Sequence, residues 1–116
     1  MMKFEKLEVW QKAVDFTFDI HQLTRKLPKE EMYILTAQIK RAADSVALNI
    51  AEGSTGQTNA VFKQFISYAV RSGIEVVTCL HIGRRRGIIT DVDFYKMLNR
   101  SETILKMLCG LRNSIR

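Results

Sequence analysis

Proline occurs once in the 116 residues of this chain, tryptophan once, cysteine twice and glycine six times. So few chain breakers leave long uninterrupted stretches, which suits helices joined by short loops better than a strand-rich fold. Cys79 and Cys109 stand apart rather than in a C-x-x-C pair, which signals neither a disulfide framework nor a zinc site; each fits a small buried hydrophobe on a helix. The N-terminus lacks an apolar core of signal-peptide type, and no run approaches the roughly 20 apolar residues of a membrane span. The expectation is a cytoplasmic chain with no membrane partner. Its length fits one domain over residues 1–116, too short for a catalytic domain plus a substrate domain. Acidic residues are scarce in one half only. Residues 59–116 hold four Asp or Glu against ten Lys or Arg, whereas residues 1–58 hold eight of each, so the net charge of +6 belongs entirely to the second half. That asymmetry points to a polyanion such as RNA or DNA, although charge of this size also occurs in proteins without one.

What the chain does have is helical periodicity. Val9, Ala13, Phe16, Ile20, Leu23 and Leu27 alternate spacings of four and three, predicting a first helix over about Leu7–Leu27 that Pro28 stops. A second stripe on the same segment, Leu7, Trp10, Val14 and Phe18, points elsewhere on the wheel and leaves little surface suited to water. It marks either a subunit interface or a site where the N-terminal segment packs back. In the next segment Leu35, Ile39, Ala42, Val46, Asn49 and Ile50 share an apolar sector, and Ala43, Ala47 and Ala51 keep the surface thin enough for close neighbours. Gly53 is placed to end this helix as a left-handed cap, with a loop following to Thr58. A third helix over about Asn59–Arg86 carries Phe62, Ile66, Ala69, Gly73, Val76, Leu80 and Gly83 in another seam and ends at Gly87. Its internal glycines cost up to about 1 kcal/mol each relative to Ala, so close packing is the expected reason for them. A fourth helix begins near Thr90, whose hydroxyl caps the first turn while Asp91 and Asp93 complement the dipole. The reading is an all-α, antiparallel up-down-up-down four-helix bundle.

Val9-Trp10-Gln11-Lys12-Ala13, Leu27-Pro28-Lys29-Glu30-Glu31 and above all Gln38 to Gly53 resemble the four-helix-bundle proteins often encoded within intervening sequences of 23S ribosomal RNA genes. Gly87-Ile88-Ile89 and the Leu-rich tail through Leu111 are similar as well, and so are Ala69, Ser72 and Glu75, while Arg71 stands where that family usually has Gly. The resemblance implies a homo-oligomer, with a ring-shaped pentamer as the family's arrangement, and no enzymatic activity. It also implies a distant similarity to the accessory variability determinant of diversity-generating retroelements, a basic pentameric bundle that binds a reverse transcriptase and nucleic acid. By that analogy RNA, DNA or a nucleic-acid enzyme such as a reverse transcriptase becomes a candidate partner beside the chain itself.

The residues themselves offer little for catalysis. His21 and His81 lack the Glu-x-x-His spacing of di-metal bundles, since Phe18 and Thr78 occupy the required positions. Cys79 and His81, two apart, point to different sides of a helix, and Gly53-Ser54-Thr55-Gly56 lacks the Lys and the preceding strand of a phosphate loop. No nucleophile–base pair is visible, so the expectation is a non-enzyme without metal or cofactor. Arg84, Arg85 and Arg86 form the leading candidate for a nucleic-acid contact, extended by Lys63, Arg71 and Arg100 and by Lys40 and Arg41 from the second helix. The same three arginines equally suit a solvated helix C-terminus that complements its dipole. Asn49 reads as a hydrogen-bonded structural amide or as a residue fixing assembly. Oligomer-interface candidates are Leu7, Trp10, Val14, Phe18, Ala43, Ala47 and Ala51. Two functions follow: an oligomeric accessory protein binding RNA or DNA through a basic surface, or a protein-interaction scaffold whose apolar faces matter more than its arginines.

Overall fold

The computed structural model describes residues 2–56 and 58–116. Four helices account for most of them: α1 (Glu8–Thr24), α2 (Leu35–Gly53), α3 (Asn59–Arg85) and α4 (Asp91–Ser114), with 3-10 turns at Lys3–Lys6 and Lys29–Glu31. No strand occurs among the described residues. At about 1.5 Å per residue the longest helix, α3, spans about 40 Å, which matches the 43 Å long axis of a body 21 Å across in both other directions. The first seam predicted from sequence is the buried face of α1: Val9, Ala13, Phe16, Ile20 and Leu23, with Leu27 just beyond it. These meet Ile39, Ala42, Val46 and Ile50 of α2, Ile66, Ala69, Val76 and Leu80 of α3, and Phe94, Met97, Ile104 and Leu108 of α4 in one core. The most extensive packing is between α2 and α3, followed by α3 with α4 and α1 with α2, and the seam between α1 and α4 is the slightest. Two ion pairs border that last seam outside the shared core, Arg100 of α4 with Asp19 of α1, and Lys26, just beyond α1, with its Nζ 3.1 Å from Asp93 Oδ2.

Helix ends follow local chemistry. Thr90 accepts a hydrogen bond from Asp93 N–H at 3.2 Å, and Thr58 does the same for Val61 at 3.1 Å, each satisfying a donor that a helix start leaves free. Gly87 terminates α3 as expected, with φ +77° and the Ile88 amide reaching back to the Gly83 carbonyl at 3.0 Å. The first helix stops three residues short of the predicted Leu27, because the residue before a proline is pushed out of helical geometry and the chain tightens into short-range turns ahead of Pro28.

Gly53 departs from its predicted role. It is the last residue of α2 and buried, and the positive φ, +91°, belongs to Gly56. A Cβ on Gly53 would lie 2.6 Å from Phe65 Cβ, so the glycine serves close approach of α2 and α3 rather than a left-handed cap. Gly73 has the packing role predicted for it, against Leu105, and Gly83 has its own against Ile89 and Leu35. By length and by a mean hydropathy of 1.2 over 18 residues, α3 is apolar enough to cross a membrane. Its apolar content divides between the core seam and Ile74, Val77 and Ile82, of which Ile74 and Ile82 stay exposed.

Asn49 is half-buried, and its amide donates to the Ser45 carbonyl at 2.8 Å and to Ser45 Oγ at 2.9 Å. Ser72 Oγ donates to that same Ser45 hydroxyl at 2.9 Å, so the polar residue on the apolar sector of α2 is tied into a short bridge to α3.

Candidate nucleic-acid interface

The Arg84–Arg86 turn forms where α3 ends, and each of its arginines meets a different environment. Arg84 Nε donates to Asp91 Oδ1 at 2.9 Å, and its guanidinium lies 4.6 Å from the Phe94 ring centre and 4.8 Å from that of Tyr95. Arg86 grips Glu31 with two hydrogen bonds, of 3.0 and 2.7 Å. That fork of donors holds the Glu31 carboxyl below the usual carboxylate range, against the opposing effect of its burial. The bond ties the α3 end to the turn before α2, across 55 positions of sequence. Arg85 is exposed, and it alone of the three makes no ion pair among the described residues. Two of the three leading ligand candidates are therefore structural ties, because the acids that meet them lie outside the cluster that sequence shows.

The remaining candidates separate in the same way. Arg100 is occupied by Asp19. Lys63 and Arg71 are exposed on α3 with no ion pair among the described residues. Turning about 100° per residue, Lys63, Arg71 and Arg85 fall within a sector of about 80° over a rise of about 33 Å. Glu75 is the one carboxylate in α3, and Gln38 Nε2 approaches it at 3.5 Å. Lys40 opens onto a groove between the end of α1 and the start of α2, whereas its neighbour Arg41 is exposed on α2. Lys40 and Arg41 thus meet different surroundings on α2.

The interface candidates also divide. Ala43 is removed from the set: it is fully buried, and its carbonyl accepts from Thr17 Oγ1 at 3.0 Å, so no surface of it reaches another chain. Leu7 is half-buried against the core. Phe4 folds back onto Trp10 with ring centres 5.0 Å apart, which covers one end of the second stripe on α1, while Val14 and Phe18 remain exposed. Trp10, Val14, Ala47 and Ala51 line a groove of about 440 Å³ together with Phe4, Thr17, Asp44 and Leu48. Sequence reasoning missed Leu48, which is 59% exposed. Its signal was a large aliphatic side chain outside the apolar sector of an otherwise well-patterned helix.

The residues weighed for chemistry have structural neighbours. His21 Nε2 lies 3.0 Å from Asp44 Oδ1, joining α1 to α2, and His81 packs edge-on against Phe94 at 4.9 Å. Cys79 is buried, which pushes its thiol upward, with Glu75 acting in the same sense. No group of three or more His, Cys, Asp or Glu side chains able to hold a metal occurs among the described residues.

Residues 5–110 match the family described as 23S rRNA-intervening sequence protein. The chain belongs to that family. A solved structure of a Bacteroides thetaiotaomicron protein of unknown function from the S23 ribosomal protein family is 26% identical, superposes with a TM-score of 0.87, and is matched over 97% of this chain and 100% of that one. No curated protein matches. Membership fixes the four-helix all-α fold of this 23S rRNA-intervening sequence family protein, and the family carries no assigned activity.

Proposed function

We propose that this protein is a non-enzymatic homo-oligomer that binds RNA or DNA through a basic surface. The observation that carries this reading is the outward face of α3, where Lys63, Arg71 and Arg85 stand free of ion pairs among the described residues. A line of cations about 33 Å long suits a phosphate backbone better than a small ligand. In the proposed arrangement the helices run up-down-up-down and the subunits close into a ring, for which five is the number suggested by the family resemblance. Repetition around a ring multiplies a modest field per subunit into avidity. A fluorescence-anisotropy titration over a salt series tests the reading. Three phosphate contacts per subunit predict that log affinity falls with log salt at a slope of about −2 to −3 for each subunit engaged. Absence of binding at low salt refutes it.

A second reading, an interaction scaffold, is favoured by the α1–α2 groove walled by Trp10, Val14, Ala47 and Leu48. Exposed apolar side chains grouped in this way suit a protein partner or a second copy of the chain. Charge reversal at Lys63, Arg71 and Arg85 separates the two readings, since a scaffold keeps its partner and a nucleic-acid binder loses its own.

A further inference from the structure

The first half of the chain has no net charge, yet folding sorts its charges onto different sides. The groove between the end of α1 and the start of α2 is lined by Arg25, Lys29 and Lys40, and no carboxylate lines it. The nearby acids are turned to other tasks: Asp44 meets His21 at 3.0 Å, Glu31 is held by Arg86, and Glu30 is exposed on the turn outside the groove. Gln22 and Thr36 add polar side chains, and Leu27, Pro28 and Met32 form an apolar wall. At about 490 Å³ the groove falls in the size range of small-ligand sites.

We infer that this groove binds the phosphate groups of nucleotides, with Arg25, Lys29 and Lys40 contacting phosphate oxygens and the Met32 wall receiving the nucleoside. Three cations lining one groove without a lining carboxylate create a positive field suited to an anion of more than one charge, and the apolar wall distinguishes a nucleotide from inorganic phosphate. The groove is lined by α1, the turn after it and α2 and by no residue of α3, so it is a second place of contact rather than a restatement of the first. Either a free nucleotide or one within a strand supplies this chemistry.

The full-length protein is titrated with ATP, with inorganic pyrophosphate and with a fluorescein-labelled 20-mer of thymidine, while backbone amide shifts are followed by NMR. Amide shifts at Arg25–Lys29 and Thr36–Lys40 are expected on addition of ATP or the 20-mer. The variant Arg25→Gln/Lys29→Gln/Lys40→Gln weakens that binding by at least about tenfold with an unchanged circular dichroism spectrum, and lowers the magnitude of the salt slope by about 2 when the single-stranded 20-mer is the probe. Binding of ATP identifies a free nucleotide as a sufficient source, and binding of the 20-mer alone identifies the strand. Pyrophosphate bound as tightly as ATP overturns the nucleoside contact. Binding of ATP and the 20-mer left intact by the triple variant, or an absence of both, overturns the site. If Lys63→Gln/Arg71→Gln/Arg85→Gln abolishes strand binding while the groove variant weakens neither ATP nor the strand, the α3 reading stands and this one falls; the reverse outcome separates them in the other direction.

Discussion

Gly53 offers the sharpest test of how α2 and α3 are joined. In a solvent-exposed helix Gly→Ala is stabilising by up to about 1 kcal/mol, because alanine loses less backbone entropy on folding. At Gly53 the added Cβ would sit 2.6 Å from Phe65 Cβ and 3.1 Å from Phe62 Cδ1. Phe65 Cβ is bonded directly to the backbone, so relief requires α3 itself to move. Overpacking of this kind costs about 1–3 kcal/mol, which offsets the propensity gain of up to about 1 kcal/mol and leaves a net loss of up to about 2 kcal/mol. With an unfolding entropy of about 0.24 kcal/mol/K for a chain of this length, the melting temperature falls by up to about 8 °C. Two other glycines supply the contrast. Gly110 lies within α4 with nothing within 4 Å of the point an added methyl group would occupy, so Gly110→Ala raises the melting temperature by about 2–4 °C. Gly73 meets the terminal Cδ2 of Leu105 at 2.8 Å, a flexible atom that can rotate away, so Gly73→Ala stays within about 2 °C of the parent. Thermal unfolding by circular dichroism at one fixed protein concentration reads all three, since association makes the midpoint concentration-dependent. Gly53→Asn sharpens the test, because a left-handed cap accepts Asn whereas a crowded helix contact rejects it more strongly than Ala. A melting temperature raised by Gly53→Ala, or unchanged by Gly53→Asn, refutes the close-approach argument.

Four further outcomes are expected. Glu31 is held below its ordinary carboxyl value by Arg86, so the unfolded chain binds the proton more readily, and the stabilisation, complete above the ordinary value of 4.5, is lost as pH falls through the lower folded value; melting curves from pH 7 to 3 should decline more steeply for the parent than for Glu31→Gln. Phe18→Asp combined with Leu48→Asp places charge on exposed apolar positions of α1 and α2, and light scattering should show a smaller assembly with unchanged helix content; an unchanged mass excludes that surface as the subunit contact. Thr90→Ala removes the side chain that caps α4 and should cost about 1 kcal/mol in urea unfolding, with the slope m unchanged. Asn49→Leu should retain helix content while broadening the distribution of oligomers seen by light scattering; a uniform mass with sharp NMR spectra removes any role in specifying assembly.

The four helices and most of the core are legible along the chain, because amphipathic seams such as Val9–Ala13–Phe16–Ile20 repeat at the helical period and need no distant partner to be recognised. Thr90 and Gly87 were legible for the same local reason, since a cap and a left-handed stop act within one turn. Gly53 was not: a glycine that ends a helix and a glycine that admits a neighbour look identical in one dimension, and only the position of Phe65 distinguishes them. The candidate site divides along the same line. A cluster of arginines is visible in sequence, but whether each is available depends on Asp91, Glu31 and Asp19, of which Glu31 lies 55 positions from Arg86. The Arg25–Lys29–Lys40 groove was hidden by arithmetic, because a segment whose charges sum to zero gives no sign that folding will place its cations on one wall and its carboxylates elsewhere. Periodicity is a property of neighbours along the chain, whereas charge acts through space, and tertiary structure alone decides which charges meet.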